Sequence, residues 1–257
     1  MDLEERPNKA PGGYNLPLEV KRRAFIFGHV NAITAAVSLI FHEAGHAFHV
    51  FETIPLTSIF QRSEKAVAME FAEVASTSME FIGAMHLQEA GICTEQEVAL
   101  QRIRHLENVL TSSLPRIIIV DAFQHWIYEH PEQALEPEKC HQKWVELGQR
   151  YLPDIDWSGL EDSLKHEWQW TLHLYCDPFY YIEYAFAIIG AIQVWHNYLQ
   201  DPQKAIQQYR HALSLGATRP MPELYAAAGA KFAFDDEILQ LVLQLVSKTI
   251  TELETQV

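Results

Sequence analysis

The apolar positions of this chain change texture near residue 31. Before it, charged and proline- or glycine-rich sequence dominates: KAPGGYNLP has the chemistry of a turn, and AFIFGHV at 24–30 reads as one short buried strand. From Thr34 onward, apolar residues recur at helical spacing nearly to the C-terminus. They predict helices over roughly 34–53, 66–90, 94–129, 137–151, 158–175, 178–200, 202–215, 221–229 and 235–254. The third is expected to bend near Pro115, which has no amide to donate. Some starts carry capping signals. Glu97 stands three residues after Thr94, a capping box, and Asp177-Pro178 and Asp201-Pro202 each place an acid before a proline at the first helical position. No repeat, low-complexity tract or linker divides the sequence. The expected fold is mainly α, a single domain over 1–257 with a β and loop segment at 1–31 and helices over 34–257.

Composition removes several classes of function. With 257 residues, 48% hydrophobic and 21% charged, the chain can bury a sizeable core. A formal charge of −15 argues against nucleic acid, whose phosphates demand a basic face. Cys93, Cys140 and Cys176 are far apart and form no C-x-x-C pair, so a reduced, cytoplasmic setting is expected rather than a disulfide framework. The opening MDLEERPNKAPGGY has no signal-peptide core. The runs AITAAVSLIF and YYIEYAFAIIGAIQVW are too short to span a bilayer, and the second contains Glu183. No membrane partner is expected.

Chemistry concentrates first in LIFHEAGHAFHVF, residues 39–51. On a helix, positions four apart share a face, so His42 and His46 can point at one spot, the spacing two imidazoles need to hold a single zinc ion. Glu43 is swung round toward the open coordination position, where a carboxylate can serve as general base. The bland alternative is two satisfied histidines and a solvated glutamate. Gly45 speaks against that, since glycine inside a helix costs about 1 kcal/mol and wants a reason such as close approach by another element.

A catalytic zinc needs a third protein ligand. MEFAEVASTSMEF, 69–81, offers Glu73 on the small-residue side of a helix, with Glu80 two turns further along the same face. Glu80 can hydrogen-bond the second ring nitrogen of a ligand histidine. Each glutamate alone can equally be a solvated charge. A third cluster, HLYCDPFYYIEYAFA at 173–187, sets His173 beside Tyr180, Tyr181 and Tyr184, a dense group of donors suited to a developing oxyanion. Its alternative is an aromatic core stripe.

Taken in this order, FHEAGHAFH, FAEVASTSMEF and H-x-x-x-x-P-F-Y-Y-x-x-Y resemble the M3 family of zinc metallopeptidases, the thimet oligopeptidase and oligoendopeptidase F group. DLEERPNKAPGGY, AFIFGHVNA and SLGATRPMPELYAAAGAKF extend the resemblance over almost the whole chain. The resemblance implies a zincin-like helical catalytic domain with one zinc per chain. His42, His46 and Glu73 would be the metal ligands, with Glu43 the general base and Glu80 behind the ligands. His173, Tyr180 and Tyr184 would act on the substrate carbonyl, with Tyr181 nearby. The strand at 25–30 would pair with an extended peptide substrate, and the Gly12-Gly13-Tyr14 turn would close over it. The implied function is hydrolysis of bonds within short peptides.

The resemblance covers the catalytic half of such enzymes and not the helical lobe that precedes it. Three outcomes are open: a half that recruits a separate chain supplying that lobe, a stand-alone peptidase with an open site, or a remnant whose cleavage activity has decayed. A second functional reading is a catalytically decayed metal-binding half-domain that binds a peptide or partner chain. A third is a helical structural protein without metal.

Overall fold

The computed structural model describes residues 1–10, 12–29, 33–63 and 66–257. The chain divides into two compact units, Met1–Arg104 with Phe186–Val257, and His105–Ala185. The architecture is mainly α with a small N-terminal sheet.

The first unit begins with β1 (Gly12–Leu18) and β2 (Arg23–His29), paired antiparallel from Gly12↔His29 to Leu18↔Arg23. KAPGGYNLP is thus no turn from Gly12 on, and Gly12, Gly13 and Tyr14 are strand residues. Two features permit this. Among the described residues β1 pairs with β2 alone, and an edge strand tolerates Pro17, whose missing amide breaks no ladder. Across the ladder, Tyr14 of β1 stacks on its register partner Phe27 of β2 at 4.8 Å. The expected strand at 24–30 is β2, with Val30 outside the described residues.

β2 does not offer the free edge that the sequence suggested for a peptide. On its other side Asp2 bridges to Phe27, with Asp2 N donating to Ile26 O at 2.8 Å and Gly28 N to Asp2 O at 2.9 Å. Lys9 fastens this segment. Its buried ammonium donates to the carbonyls of Asp2, Glu4 and Gly28 and to the Asp2 carboxylate, at 2.7–3.1 Å. A buried charge is tolerable only with such a set of acceptors.

Next come α1 (Ile33–Glu52), α2 (Ile59–Arg62), α3 (Met69–Ala84) and α4 (Glu95–Asn108). α1 packs on the sheet and on α3. The facing strand residues Gly13 and Gly28 seat Leu39 of α1, since a Cβ on either would stand 2.4 or 2.5 Å from that side chain. α3 is shorter than the expected 66–90 because residues 85–91 close as turns ending at Gly91, whose φ is +69°. The capping box holds: Thr94 N donates to Glu97 Oε2 at 2.8 Å, and Glu97 N to Thr94 Oγ1 at 3.3 Å.

The second unit contains a π-helical turn (Val109–Ser113), α5 (Leu114–Glu129), α6 (Pro131–Ala134), α7 (Pro137–Tyr151), α8 (Glu161–His166), a 3₁₀ turn (Glu167–Trp170) and α9 (His173–Cys176). The disturbance expected at Pro115 is this widened turn. The core gathers Val120, Phe123, Trp144, Leu147 and Leu164. The helix expected at 158–175 is broken: Glu167 is drawn aside to Arg116 and to the Trp144 indole, and the chain tightens into the 3₁₀ turn.

α10 (Glu183–Gln200) begins five residues later than expected, so Asp177 caps no helix at Pro178. α11 (Pro202–Ser214) starts where predicted, Asp201 accepting from Lys204 N. α12 (Met221–Ala227) and α13 (Asp236–Glu254) complete the chain. In the first unit Phe71 and Val74 of α3 are buried with Ile192, Tyr209, Leu224 and Tyr225, and Phe81 stacks on Trp195.

Candidate metal centre

α1 holds His42 and His46 one turn apart, their rings 5.0 Å between centroids and nearly perpendicular. From α3, Glu73 Oε2 lies 3.4 Å from His42 Nε2 and 3.7 Å from His46 Nε2. One ligand atom from each of the three falls within 4.8 Å of the others. Donors set about 2.0–2.1 Å from a common tetrahedral centre stand about 3.3–3.4 Å apart, so Glu73 lies near metal-ligand spacing from both histidines. Two imidazoles and a carboxylate also form a donor set that zinc favours. Glu43, between the two histidines on the same turn, is only 4% exposed.

What brings α3 this close is absence of volume. A Cβ on Gly45 would stand 2.5 Å from Ala75 O and 2.5 Å from Ser76 Cα, so only glycine lets the two backbones touch. Tyr209 of α11, its phenol pushed up by burial, donates to Ala75 O at 2.7 Å at the same crossing. Ser76 then orients the acid, its hydroxyl donating to Glu73 Oε2 at 2.9 Å. Glu80 sits behind His42, with Oε1 2.8 Å from Nδ1. A proton on Nδ1 donated to that carboxylate leaves Nε2, the nitrogen facing Glu73, for a cation.

The electrostatics agree. Burial disfavours a charged His42, but hydrogen bonds and charge from Glu73 and Glu80 outweigh it and raise its pKa to about 10. Burial pushes Glu73 up, and His42, His46 and Ser76 more than reverse that, leaving it lowered. Two carboxylates around one imidazole make a place that demands positive charge, a proton or a metal.

In the second unit His173 is ringed by tyrosines. It stacks on Tyr180 at 5.4 Å and meets Tyr181 and Tyr184 edge-on at 5.1 and 5.8 Å. The Tyr184 hydroxyl lies 3.5 Å from His173 Nε2. The four residues expected to act together are therefore one cluster.

The family model described as "Peptidase family M3" matches residues 1–242. The chain belongs to peptidase family M3. Among solved structures, this M3 chain is similar to one described as an oligoendopeptidase F, at 29% identity and TM-score 0.86, with 97% of this chain and 43% of that one covered. It is similar to PZ peptidase A with inhibitor 2 at 28% identity and TM-score 0.84, covering 98% and 43%. A structure described as an oligoendopeptidase F from Bacillus anthracis str. Ames is 27% identical with TM-score 0.77, covering 99% and 40%. The chain thus spans about two fifths of the length of these structures. No curated protein matches it significantly.

Some parts of the M3 chain's site escaped the sequence reading. Gly45 by its residue type asks for a close neighbour, but that the neighbour is Ala75 and Ser76 is a fact of packing. Ser76 carried no signal beyond a small residue three after Glu73, the spacing at which a hydroxyl returns to the preceding helical turn. Tyr209 lies 134 residues from its acceptor and was invisible. His49, one turn beyond His46, is packed, its ring edge-on to Phe71 at 6.2 Å.

Proposed function

We propose that this M3 chain is a zinc metallopeptidase that hydrolyses bonds within short peptides, both units forming one catalytic domain. The observation that carries the reading is the convergence of His42, His46 and Glu73 at metal-binding separations inside a chain of this family. In this reading those three residues hold one zinc ion. When bound, zinc polarises the peptide carbonyl and lowers the pKa of a coordinated water toward neutrality. Glu43 takes the proton of the attacking water and returns it to the leaving amine. Glu80 keeps His42 in the tautomer that offers Nε2, and Ser76 fixes the rotamer of Glu73.

An extended peptide adds to the outer edge of β1, since β2 is flanked by β1 and by Asp2, and Gly12, Gly13 and Tyr14 line that edge. His173, Tyr180 and Tyr184 donate to the oxyanion of the tetrahedral intermediate, with Tyr181 supporting the ring cluster. The free thiols Cys93, Cys140 and Cys176 support a cytoplasmic setting, and no described helix is long and apolar enough to cross a membrane.

The test is metal analysis joined to a peptide-digest assay. Wild-type protein is expected to hold about one zinc per chain. Glu43→Gln is expected to keep that zinc and lose about 100- to 10,000-fold in turnover. An active Glu43→Gln protein removes the mechanism. One observation favours a second reading, a metal-binding half-domain that receives a peptide or a separately encoded lobe without cleaving it: Trp170 is 88% and Leu172 64% exposed. Zinc content with no turnover on a peptide library, and a partner recovered with the chain, selects that reading.

A further inference from the structure

The segment between His173 and Tyr184 contains a turn that its sequence opposes. Tyr180 N donates to Asp177 O at 3.2 Å, Pro178 holds the second position, and Phe179 in the third has φ +62°. A four-residue turn of that pattern ordinarily takes glycine at its third position, because a side chain there crowds the backbone. A bulky residue in the left-handed region persists only where its surroundings hold it.

The hold comes from α5. The Phe179 amide donates to the side-chain oxygen of Gln124 at 2.9 Å, and Gln124 is 2% exposed. The Phe179 ring lies against His125 at 5.1 Å and Tyr128 at 5.0 Å. An apolar residue would fill the site of Gln124 without the cost of burying an amide. The polar side chain is used at the one strained residue of the segment. Directly after that residue comes Tyr180, whose ring lies parallel to His173, and then Tyr181, which touches both His173 and Tyr184.

We infer that Gln124 is a positioning residue. Its side-chain oxygen locks Phe179 in the left-handed turn, and the locked turn sets the orientation of Tyr180, Tyr181 and Tyr184 around His173. The consequence for turnover rests on the reading of that cluster as the oxyanion donors; the anchor itself does not.

The experiment uses the full zinc-loaded chain and two readouts, peptide turnover and amide hydrogen exchange at Phe179. Gln124→Leu keeps the size and removes the acceptor. It is expected to lower kcat about 10- to 100-fold with KM changed less than about twofold, zinc content retained and Phe179 exchange accelerated at least about tenfold. Gln124→Glu restores an acceptor and is expected to recover most of both readouts. Phe179→Gly removes the strain, so Gln124→Leu combined with Phe179→Gly is expected to regain turnover lost by Gln124→Leu alone. Should Gln124→Leu fail to fold, slow exchange in Gln124→Glu supports the inference and fast exchange overturns it. Unchanged Phe179 exchange in a folded Gln124→Leu overturns it whatever the kinetics. Fast exchange with unchanged kcat overturns it as well if Tyr184→Phe is impaired. If Tyr184→Phe is equally unaffected, the oxyanion reading falls and the turnover consequence falls with it.

Discussion

In the first unit every polar group of the metal centre rides on regular helix. His42, Glu43 and His46 occupy two turns of α1, Glu73, Ser76 and Glu80 occupy three turns of α3, and a glycine at the crossing fixes the distance between them. In the second unit His173 stands on a four-residue helix, Tyr180 and Tyr181 on a turn, and Tyr184 at the start of α10, with a strained phenylalanine between. The first arrangement is rigid because helical hydrogen bonds are satisfied locally and the crossing is close-packed. The second is only as fixed as the side chains that hold its backbone. A group expected to bind a metal tolerates little displacement, whereas donors to a transition state can be carried on a loop that a scaffold braces.

The contrast predicts effects of descending size. The largest is on metal affinity with pH. The folded-state pKa of His42, about 10, lies above its ordinary 6.5. In the metal-free protein the stability this contributes is complete below about pH 6.5 and is lost as pH rises through about 10. A metal needs the same nitrogen without its proton. Zinc uptake is therefore expected to release protons and to tighten about tenfold per pH unit across that window, as read by chelator competition. A pH-independent affinity would separate His42 from the metal.

Next comes Glu80→Gln, which leaves a hydrogen-bonding partner for His42 but no charge. A loss of about 10- to 100-fold in zinc affinity is expected, and with it, at a fixed excess of zinc, a loss of about 1.4–2.7 kcal/mol of unfolding free energy. Equal affinity in the variant would reduce Glu80 to a bystander.

Gly45→Ala tests the helix crossing. Alanine gains up to about 1 kcal/mol of helix propensity. The new Cβ meets backbone at 2.5 Å, which cannot rotate aside. Overpacking of this kind costs about 1–3 kcal/mol or more, so the net change is a loss. At about 2–4 °C per kcal/mol for a chain of this size, scanning calorimetry resolves it. A stabilised Gly45→Ala protein would refute the close crossing.

Ser76→Ala is the mildest. It removes one hydrogen bond from a carboxylate that keeps its histidine contacts, an expected loss of about 0.5–1.5 kcal/mol and a small loosening of metal binding. An effect as large as that of Glu80→Gln would mean that the rotamer of Glu73, more than the charge behind His42, governs the centre.

Much of the metal centre was legible because its elements are local. The spacing of His42 and His46, and that of Glu73 and Glu80, follows from the pitch of a helix, and the geometry of α1 and α3 places both acids within reach of His42 and Glu73 within reach of His46. The N-terminal strands were half legible. β2 announced itself by its apolar run, while Gly12 to Leu18 carried glycine and proline that are common in turns and are admitted here only because the strand is an edge. In the segment 158–182 the structure departs from the two helices that the spacing predicts. Its apolar spacing is helical, yet Glu167 is claimed by Arg116 and Trp144, and Phe179 by Gln124, partners far away in sequence.

The sequence by itself determined the mainly helical class, the pairs of groups that each helix presents, and the glycine that marks where a second backbone must come near. Periodicity and side-chain volume are written residue by residue, and neighbours along the chain suffice to express them. Tertiary structure alone decided that α3 is the helix meeting that glycine, that Tyr209 fastens the crossing, and that Lys9 and Asp2 close one edge of β2. The bonds of Tyr209 and Lys9 depend on a polar group leaving water for a partner distant in sequence, and the strength of that exchange exists only once both have been brought into the same dry space.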